Sequence, residues 1–176
     1  MEPNNPIFEY LRGLSGLGLN EQQRAYHAQR LQDARTVKSV RMRDAFTAEQ
    51  LALLAYWGYM THQKMCYKNA AELVRLISLD CRFPGPIRYV EGIVYCEKVP
   101  IPIEHAFVKV GELYVDPTFE RALHRDPRKE LYVSLIEFDA LTIAKYQGET
   151  GHYGDLYAYK WAKENVPELA GRMRRW

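Results

Sequence analysis

The chain contains 176 residues, of which 47% are hydrophobic and 26% charged, so it is long enough for one packed domain and too apolar for an intrinsically disordered protein. A formal net charge of +2 does not require nucleic acid as a partner. No segment approaches the roughly 18 apolar residues of a membrane span, and the first residues lack the apolar core of a secretory signal. Three scattered cysteines make no disulfide framework, so we expect free thiols and a cytoplasmic location. From the small net charge and the absence of an apolar span, we expect neither nucleic acid nor a membrane as a partner.

The first 46 residues have the features of helices. A short helix is predicted around Ile7 to Leu11, and a second one, capped by Asn20, is predicted to run without Pro or Gly as far as Phe46. The second helix is basic, which predicts a solvated face or, alternatively, a contact with an anionic partner; its cations are Arg24, Arg30, Arg35, Lys38, Arg41 and Arg43. We interpret residues 1–46 as an N-terminal helical extension and 47–176 as the main domain, the two forming one compact unit.

Two further helices are predicted before the next Pro-Gly segment. Thr47 and Gln50 have the spacing of a capping box, which opens an apolar helix that Gly58 ends or bends. The following helix runs from about Met65 to Leu79 and has an apolar stripe at helical spacing, formed by Ala70, Leu73, Val74 and Ile77.

Beyond Phe83 the sequence becomes rich in β-branched and aromatic residues. A strand is predicted over residues 87–99, followed by an extended connector at Pro100 and Pro102. Gly92 inside this strand indicates a β-bulge or, alternatively, a close approach of substrate to the backbone.

The C-terminal half continues with a hairpin whose turn is Gly111-Glu112. After it we predict a strand, a helix, a glycine-rich loop that is a connector or a mobile flap, and a last short helix, at residues 129–138, 139–146, 148–154 and 156–166. Helices first and strands afterwards indicate an α+β fold.

The hairpin makes a geometric prediction about His105 and Asp116. If Gly111-Glu112 is a two-residue turn, Val110 faces Leu113, and Asp116 lies diagonal to His105 on the same face, within side-chain reach. A turn one residue earlier places the two side chains directly opposite, and only a slip of odd length separates them. A carboxylate bonded to one imidazole nitrogen fixes the tautomer and leaves the other nitrogen free to take a proton.

Cys66 is the candidate nucleophile for such an imidazole. It lies near the start of its predicted helix, where the helix dipole and the unpaired amides favour a thiolate. Its own backbone amide at that position can also stabilise an oxyanion. A cysteine at a helix start, combined with a His and an Asp on strands, is an arrangement that performs acyl transfer.

Four short motifs occur in a fixed order between Lys64 and Phe119, about a third of the chain; they are Cys66-Tyr67, Arg88-Tyr89-Val90-Glu91-Gly92, His105-Ala106-Phe107 and Asp116-Pro117-Thr118. This order and spacing resemble the transglutaminase-like superfamily, which is related to papain-like cysteine peptidases. The resemblance implies an α+β core with N-terminal helices and the nucleophile helix packed on an antiparallel sheet. It also implies a Cys66-His105-Asp116 triad and an acyl-enzyme intermediate that ends in hydrolysis or amine transfer, with no cofactor.

The chain departs from the family pattern near the substrate. The usual Trp beside the Cys and the His is replaced by Tyr67 and Phe107. We take these two residues, together with Trp57, as candidate substrate-binding residues.

A second departure concerns the oxyanion site. No glutamine stands at the papain-like distance before Cys66, and Gln63 is closer. Gln63 is therefore the candidate second oxyanion donor beside the Cys66 amide, with Trp57 and Tyr59 as alternatives.

Zinc binding is a competing interpretation of some of these residues. His62 and Cys66 are four residues apart and could share one helix face as two zinc ligands. A complete site would need Cys81, Cys96 or His105, and no CxxC or HExxH motif accompanies them, so we expect no metal. Cys81 and Cys96 are interpreted as packing residues.

Two other functions are alternatives to acyl transfer. One is a catalytically silent transglutaminase-like module that binds a protein or an anionic partner through its basic helix. The other is a nucleic-acid-associated protein that uses Arg24 to Arg43, for which the small net charge gives little support. For an enzyme we expect a protein, peptide or small amide substrate.

Overall fold

The computed structural model describes residues 5–17, 20–83 and 85–173, and it has the α+β composition expected from the sequence. Its helices are α1 Pro6–Gly16, α2 Glu21–Asp33, α3 Met42–Ala45, α4 Ala48–Tyr56, α5 Cys66–Ile77, α6 Ala140–Thr150, α7 Leu156–Asn165 and α8 Pro167–Met173. Its strands are β1 Arg35–Val37, β2 Ser39–Val40, β3 Ile87–Cys96, β4 Val99–Val110, β5 Leu113–Val115 and β6 Leu131–Phe138. A π-helical turn, Thr118–Ala122, and a 3-10 turn, Pro127–Lys129, lie between β5 and β6.

The strands form one six-stranded sheet in the order β1-β6-β3-β4-β5-β2. Neighbouring strands are antiparallel apart from β2 and β5, which run parallel, so the expectation of an antiparallel sheet fails at that edge. The central strands β3 and β4 pair over most of their length, with Gly92 opposite His105. Helix α5, which begins at Cys66, packs against these two strands, as expected for the helix of the candidate nucleophile.

The single long helix predicted over residues 20–46 is wrong. Helix α2 begins with a capping box but covers only 13 residues, and the chain then forms the edge strands β1 and β2. Val37 pairs with Tyr132, and Ser39 pairs with Tyr114. Pairing with the two open edges of the sheet outweighs a helix preference of a few tenths of a kcal/mol per residue. The predicted extension therefore contributes both outer strands, and a domain division at residue 46 stays a prediction.

The predicted helices on either side of the loop before Cys66 are confirmed. Thr47 and Gln50 form the capping box of α4, and Gly58, with φ of 70°, follows the end of that helix. Helix α5 spans most of the predicted segment, and its four stripe residues are fully buried. Helix α1 likewise contains the helix predicted around Ile7 to Leu11 and buries both of these residues completely.

Pro100 and Pro102 lie inside β4 and not in the connector predicted for them. In this part β4 pairs with β3 on one side, whereas β5 pairs only with the residues from Val108 to Val110. The other edge of β4 is therefore open beside the prolines, where a residue without an N–H group costs no ladder hydrogen bond.

Gly92 lies at a β-bulge, as predicted. The register between β3 and β6 shifts between Glu91 and Gly92. A Cβ atom at position 92 would lie 2.1 Å from the carbonyl oxygen of Val133, a distance that no side chain tolerates. The close approach of the β6 backbone therefore accounts for the glycine.

The β4–β5 hairpin has the predicted two-residue turn. Val110 pairs with Leu113, and Val108 pairs with Val115. Gly111 adopts a positive φ of 58°, which a tight hairpin turn of this kind requires. Strand β5 ends at Val115, directly before Asp116. From this point on, the edge of β4 next to Asp116 is no longer paired with β5.

The C-terminal region contains one helix more than predicted. Helix α6 begins after its Asp139 cap and continues to Thr150, so the predicted loop starts only at Gly151. Helix α7 confirms the last predicted helix, and α8 follows with Pro167 in its first position, where the missing N–H costs nothing. No helix in the described ranges is long and apolar enough to cross a bilayer.

Candidate active site

His105 and Asp116 meet beside the hairpin, as the predicted register allows. Nε2 of His105 lies 2.6 Å from Oδ2 of Asp116, and both side chains are buried. Since Nε2 is committed to the carboxylate, Nδ1 is the imidazole nitrogen that remains for a thiol. The predicted imidazole–carboxylate hydrogen bond is thus confirmed.

Three further donors hold the Asp116 carboxylate. The hydroxyl of Tyr132, on β6, donates to Oδ2 at 2.9 Å. The backbone amides of Thr118 and Phe119 donate to Oδ1 at 2.9 and 3.0 Å. Because Asp116 is fully buried, these donors replace the hydrogen bonds to water that burial removes, and they fix the orientation of the carboxylate.

Aromatic rings surround the His105 imidazole. The Phe119 ring meets it edge-on with 5.4 Å between centroids, and the Phe107 ring stacks beside it at 6.5 Å. Tyr132 adds a third ring at 6.5 Å. A surrounding of this low polarity strengthens the hydrogen bond between His105 and Asp116.

Cys66 is the first residue of α5, and its thiol lies near enough to the His105 side chain for each group to shift the pKa of the other. The backbone amide of Ala106, at a position of β4 that β5 leaves unpaired, also favours the thiolate form of Cys66. Burial raises the pKa of the Cys66 thiol, but the imidazole and the Ala106 amide outweigh burial and lower the pKa below its ordinary value.

The pKa of the His105 imidazole is shifted in the opposite direction to that of the thiol. Burial lowers the pKa of His105, but the charge and hydrogen bond of Asp116, together with the contact to Cys66, raise it to about 10. A lowered thiol pKa and a raised imidazole pKa both favour a thiolate–imidazolium pair over the neutral pair. The arrangement can therefore supply a nucleophile and a general acid at the same time.

Asn69 and Tyr132 are site residues that the sequence did not single out. Asn69 is fully buried three residues after Cys66 and exchanges hydrogen bonds with the backbone of His62, accepting at 3.0 Å and donating at 2.8 Å. Its amide also donates to the hydroxyl of Thr118 at 2.9 Å. In the sequence, Asn69 stands out only as a single polar residue directly before the apolar stripe of its helix. No residue pattern near Tyr132 indicates that its hydroxyl bonds to Asp116.

Of the three candidate substrate-binding residues, Tyr67 directly follows Cys66 in α5 and has a half-buried side chain. Phe107 is fully buried behind His105 and cannot line an open pocket, which corrects that prediction. Trp57 follows the end of α4 and packs on Phe83 at 5.8 Å between centroids. These contacts place Trp57 in the α4 packing layer and give no support to a role at the thiol.

Gln63 is placed in a way that does not favour an oxyanion role. Its side-chain Nε2 donates to the carbonyl oxygen of Ala122 at 3.4 Å on the surface. The alternative donor Tyr59 is engaged as well, because its hydroxyl donates to the carbonyl of Asn69 at 2.8 Å. The backbone amide of Cys66, in the first turn of α5 where amides lack helical partners, is therefore the best-supported oxyanion donor.

The other two cysteines differ from each other. Cys81 is exposed, so the packing role predicted for it is wrong, because its position after α5 faces solvent. Cys96 is buried as predicted, and its sulfur accepts a hydrogen bond from Nη1 of Arg125 at 2.8 Å. Within residues 5–17, 20–83 and 85–173, no group of three or more His, Cys, Asp or Glu side chains is arranged to hold a metal ion.

No protein-family model, curated protein or solved structure matches this chain. The transglutaminase-like resemblance therefore rests on the four motifs and on the geometry around Cys66.

Proposed function

We propose that the chain is a transglutaminase-like cysteine hydrolase or acyltransferase that acts on a protein, peptide or small amide through Cys66, His105 and Asp116. The observation that supports this most strongly is the 2.6 Å hydrogen bond between Nε2 of His105 and Oδ2 of the buried Asp116, close to a Cys66 thiol whose pKa the same imidazole lowers. A papain-like, transglutaminase-like core is part of the same proposal. Its support is the packing of α5 on the central antiparallel strands β3 and β4.

The first half-reaction forms an acyl-enzyme. The Cys66 thiolate attacks the carbonyl carbon of an amide or thioester, and the carbonyl π electrons move to oxygen, which the Cys66 backbone amide stabilises. The intermediate collapses with cleavage of the bond to the leaving group. His105, protonated in the resting pair, delivers its Nδ1 proton to the departing amine or thiol.

The second half-reaction releases the acyl group. Neutral His105 removes a proton from water or from an acceptor amine as that nucleophile attacks the thioester carbonyl carbon. Collapse expels the Cys66 thiolate and gives a carboxylic acid or a new amide, and the imidazolium is restored. Throughout the cycle Asp116 keeps Nδ1 directed towards the sulfur, and general acid–base action of this kind contributes about 10²–10⁴-fold to the rate.

A catalytically silent module that binds an anionic partner is the less well supported alternative. Its predicted basic surface is partly neutralised, since Arg30 is buried and ion-paired with Glu104. Arg41 is paired with Asp126 at 2.7 Å, and Arg35 donates to two backbone carbonyls. Cations held in this way are poorly available to an external anion.

The test is intact-mass detection of a covalent acyl adduct, with peptide mapping of the modified residue. The full chain is incubated with thioesters and activated esters of peptides and of small carboxylic acids. We expect one acyl group on Cys66 that hydroxylamine removes, no adduct at that position in Cys66→Ser, and full labelling in the matched control Cys81→Ser. Acylation of Cys81 as fast as Cys66, or of neither, would contradict the proposal.

A further inference from the structure

The chain enters the π-helical turn Thr118–Ala122 directly after Asp116-Pro117, and the start of this turn surrounds Asp116. The backbone amides of Thr118 and Phe119 donate to Oδ1 of the Asp116 carboxylate. The amide of Glu120 donates to the backbone carbonyl of Asp116 at 3.1 Å. Three consecutive amides of one turn therefore converge on Asp116, and the orientation of its carboxylate depends on the shape of the turn.

The π turn has few hydrogen bonds of its own. Its characteristic bond runs from the amide of Leu123 to the carbonyl of Thr118, five residues earlier, at 3.0 Å. Such π-helical bonds are rare in proteins and occur mostly as single turns, frequently at functional sites. Because an unusual backbone conformation persists only where its surroundings hold it, contacts from outside the turn must fix the amides on Asp116.

One such contact comes from the segment that contains β2 and the start of α3. Strand β2 pairs with β5, which ends directly before Asp116. The backbone amide of Met42, the first residue of α3, donates to Oε2 of Glu120 at 2.6 Å. The side chain of Met42 is buried, so this donor is anchored in the core. Glu120 is thus bonded through its own amide to Asp116 and through its carboxylate to Met42.

A second contact joins the same two segments. Nη2 of Arg41 lies 2.7 Å from Oδ2 of Asp126, whose side chain caps the 3-10 turn that follows the π turn. Arg41 and Met42 are adjacent in the chain, so one short segment is bonded near both ends of residues 120–126. The π turn therefore has a fixed support on the side away from the carboxylate of Asp116.

We propose that Glu120 is a positioning residue of the candidate active site: its bond to the Met42 amide holds the π turn in the shape that orients the Asp116 carboxylate. This inference rests on the proposed function and adds a residue to the same site. Without the bond the turn relaxes, and the carboxylate is no longer directed at the imidazole of His105. The imidazolium is then less stable, so less thiolate forms on Cys66 at neutral pH.

The experiment compares Glu120→Gln with Glu120→Met in the full chain. Both substitutes are neutral and close to glutamate in length, but only glutamine has a side-chain oxygen that accepts the Met42 amide. The rate of Cys66 alkylation by iodoacetamide is measured by mass spectrometry with peptide mapping between pH 5.5 and 9.5. At pH 6.5 we expect Glu120→Met to react about tenfold more slowly than the wild type, which corresponds to a rise of about one unit in the thiol pKa, and to approach the wild-type rate at pH 9.5. We expect Glu120→Gln to keep the wild-type profile.

Asp44→Ala is the matched control. Oδ2 of Asp44 accepts the amide of Arg41 at 3.3 Å, so this variant also loses a carboxylate–amide hydrogen bond of α3 but keeps the one to Glu120. It is expected to keep the wild-type pH profile. If Glu120→Met does not fold, Glu120→Asp gives the comparison, because it keeps the charge and its carboxylate is one methylene too short to reach Met42.

A wild-type profile in Glu120→Met overturns the inference, even when Cys66 forms acyl adducts. A profile that is shifted as far in Glu120→Gln as in Glu120→Met also overturns it, because the charge of Glu120 and not the hydrogen bond then explains the shift. A shift confined to Glu120→Met, in a chain whose Cys66 forms no acyl adduct, supports the positioning role and refutes the acyl-transfer proposal.

Discussion

The side-chain amide of Asn69 donates a 2.9 Å hydrogen bond to the hydroxyl oxygen of Thr118, and this buried contact joins the two halves of the candidate site. Asn69 belongs to the helix that begins with Cys66, whereas the amide of Thr118 donates to the carboxylate of Asp116. The position of the thiol relative to the imidazole and carboxylate therefore depends on this link. Asn69 is a positioning residue, since its bonds are to the protein itself.

Substitution Asn69→Ala is expected to cost both stability and thiol reactivity. It leaves the buried hydroxyl of Thr118 and the partly buried backbone groups of His62 without these partners, which predicts a loss of about 2–4 kcal/mol in the free energy of unfolding. Alkylation of Cys66 at neutral pH should also slow, because the thiol loses its fixed place against the imidazole. Denaturant titration and iodoacetamide kinetics measure the two effects. Asn165→Ala, on an exposed part of α7, is the matched control and should change stability by less than about 0.5 kcal/mol.

If Asn69→Ala lowers stability but leaves the alkylation rate at the wild-type value, Asn69 supports the fold without positioning the thiol.

Tyr132→Phe removes one of the donors to Asp116. Because the carboxylate keeps His105 and two backbone amides, we expect a moderate loss of about 1–2 kcal/mol in unfolding free energy and a site that still reacts. Tyr114→Phe removes a 2.9 Å hydrogen bond to Glu137 near the surface and should cost less. Equal losses in the two variants, measured by denaturant titration, would show that the Tyr132–Asp116 hydrogen bond contributes no more to stability than a hydrogen bond near the surface.

The hairpin could be predicted from the sequence because its register depends on local features. Gly111 permits the positive φ of a two-residue turn, and strand alternation then places His105 and Asp116 on the same face. The capping box at Thr47 and the apolar stripe of α5 are equally local, and both are confirmed.

The parts that the sequence did not predict depend on residues far apart in the chain. Val37 and Ser39 become strand residues by pairing with Tyr132 and Tyr114, and no Gly or Pro separates them from the preceding helix. The donor role of Tyr132 towards Asp116 likewise arises only when β6 is in place beside β3. Tertiary pairing of this kind overrides weak local propensity and leaves no periodic signal.

Glu91 should make the stability of the protein depend on pH. Burial raises the pKa of Glu91 to about 7, against the opposing effect of its hydrogen bonds to Tyr157, Leu156 and Tyr89. The folded state therefore binds a proton more tightly than the unfolded state. The contribution of this group is most favourable below the unfolded pKa near 4.5 and falls as the pH rises to about 7, by at most about 3 kcal/mol.

Urea titrations between pH 4.5 and 8 measure this dependence in the wild type and in Glu91→Gln. The variant is expected to lose the fall in stability between pH 4.5 and 7, although it has one acceptor oxygen fewer for α7 and is less stable at low pH. Glu112→Gln, at a side chain that is 91% exposed, is the matched control and should keep the wild-type dependence.

The other charged and titratable groups around Glu91 do not account for a difference in pH dependence between the wild type and Glu91→Gln. The pKa values of Tyr67, Tyr89 and Tyr26 are raised, mainly by burial, so these phenols stay neutral below pH 8. The pKa of Asp155 is also raised by burial, but its contribution is present in the wild type and in both variants. Identical pH dependence in Glu91→Gln and the wild type would contradict the assignment.

Asp116→Asn should move the reactivity of Cys66 to higher pH. Against the effect of burial, the Asp116 charge helps raise the pKa of His105 to about 10, and the imidazolium in turn helps lower the pKa of Cys66. Without that charge the imidazole loses its proton at lower pH, so less imidazolium stabilises the thiolate. We expect a wild-type Cys66 that reacts with iodoacetamide at pH 6 faster than the exposed Cys81, and a variant slowed by about tenfold for each unit by which the thiol pKa rises.

The same substitution also has a stability signature with a defined sign. A raised His105 pKa contributes stability that is fully present below the unfolded value of 6.5 and is lost as the pH rises through about 10. The lowered pKa of Cys66 has the opposite effect on stability in the same pH range, so the comparison is made in a Cys66→Ser background. There Asp116→Asn should flatten the fall in stability between pH 6.5 and 10, which urea titration can measure. At pH 9 and above, alkylation of Cys66 in the variant should approach the wild-type rate, because the thiol then ionises without help from the imidazolium. A variant that is slow at every pH would instead mean that Asp116 acts by shaping the backbone around Thr118 and Phe119 and not through the charge of His105.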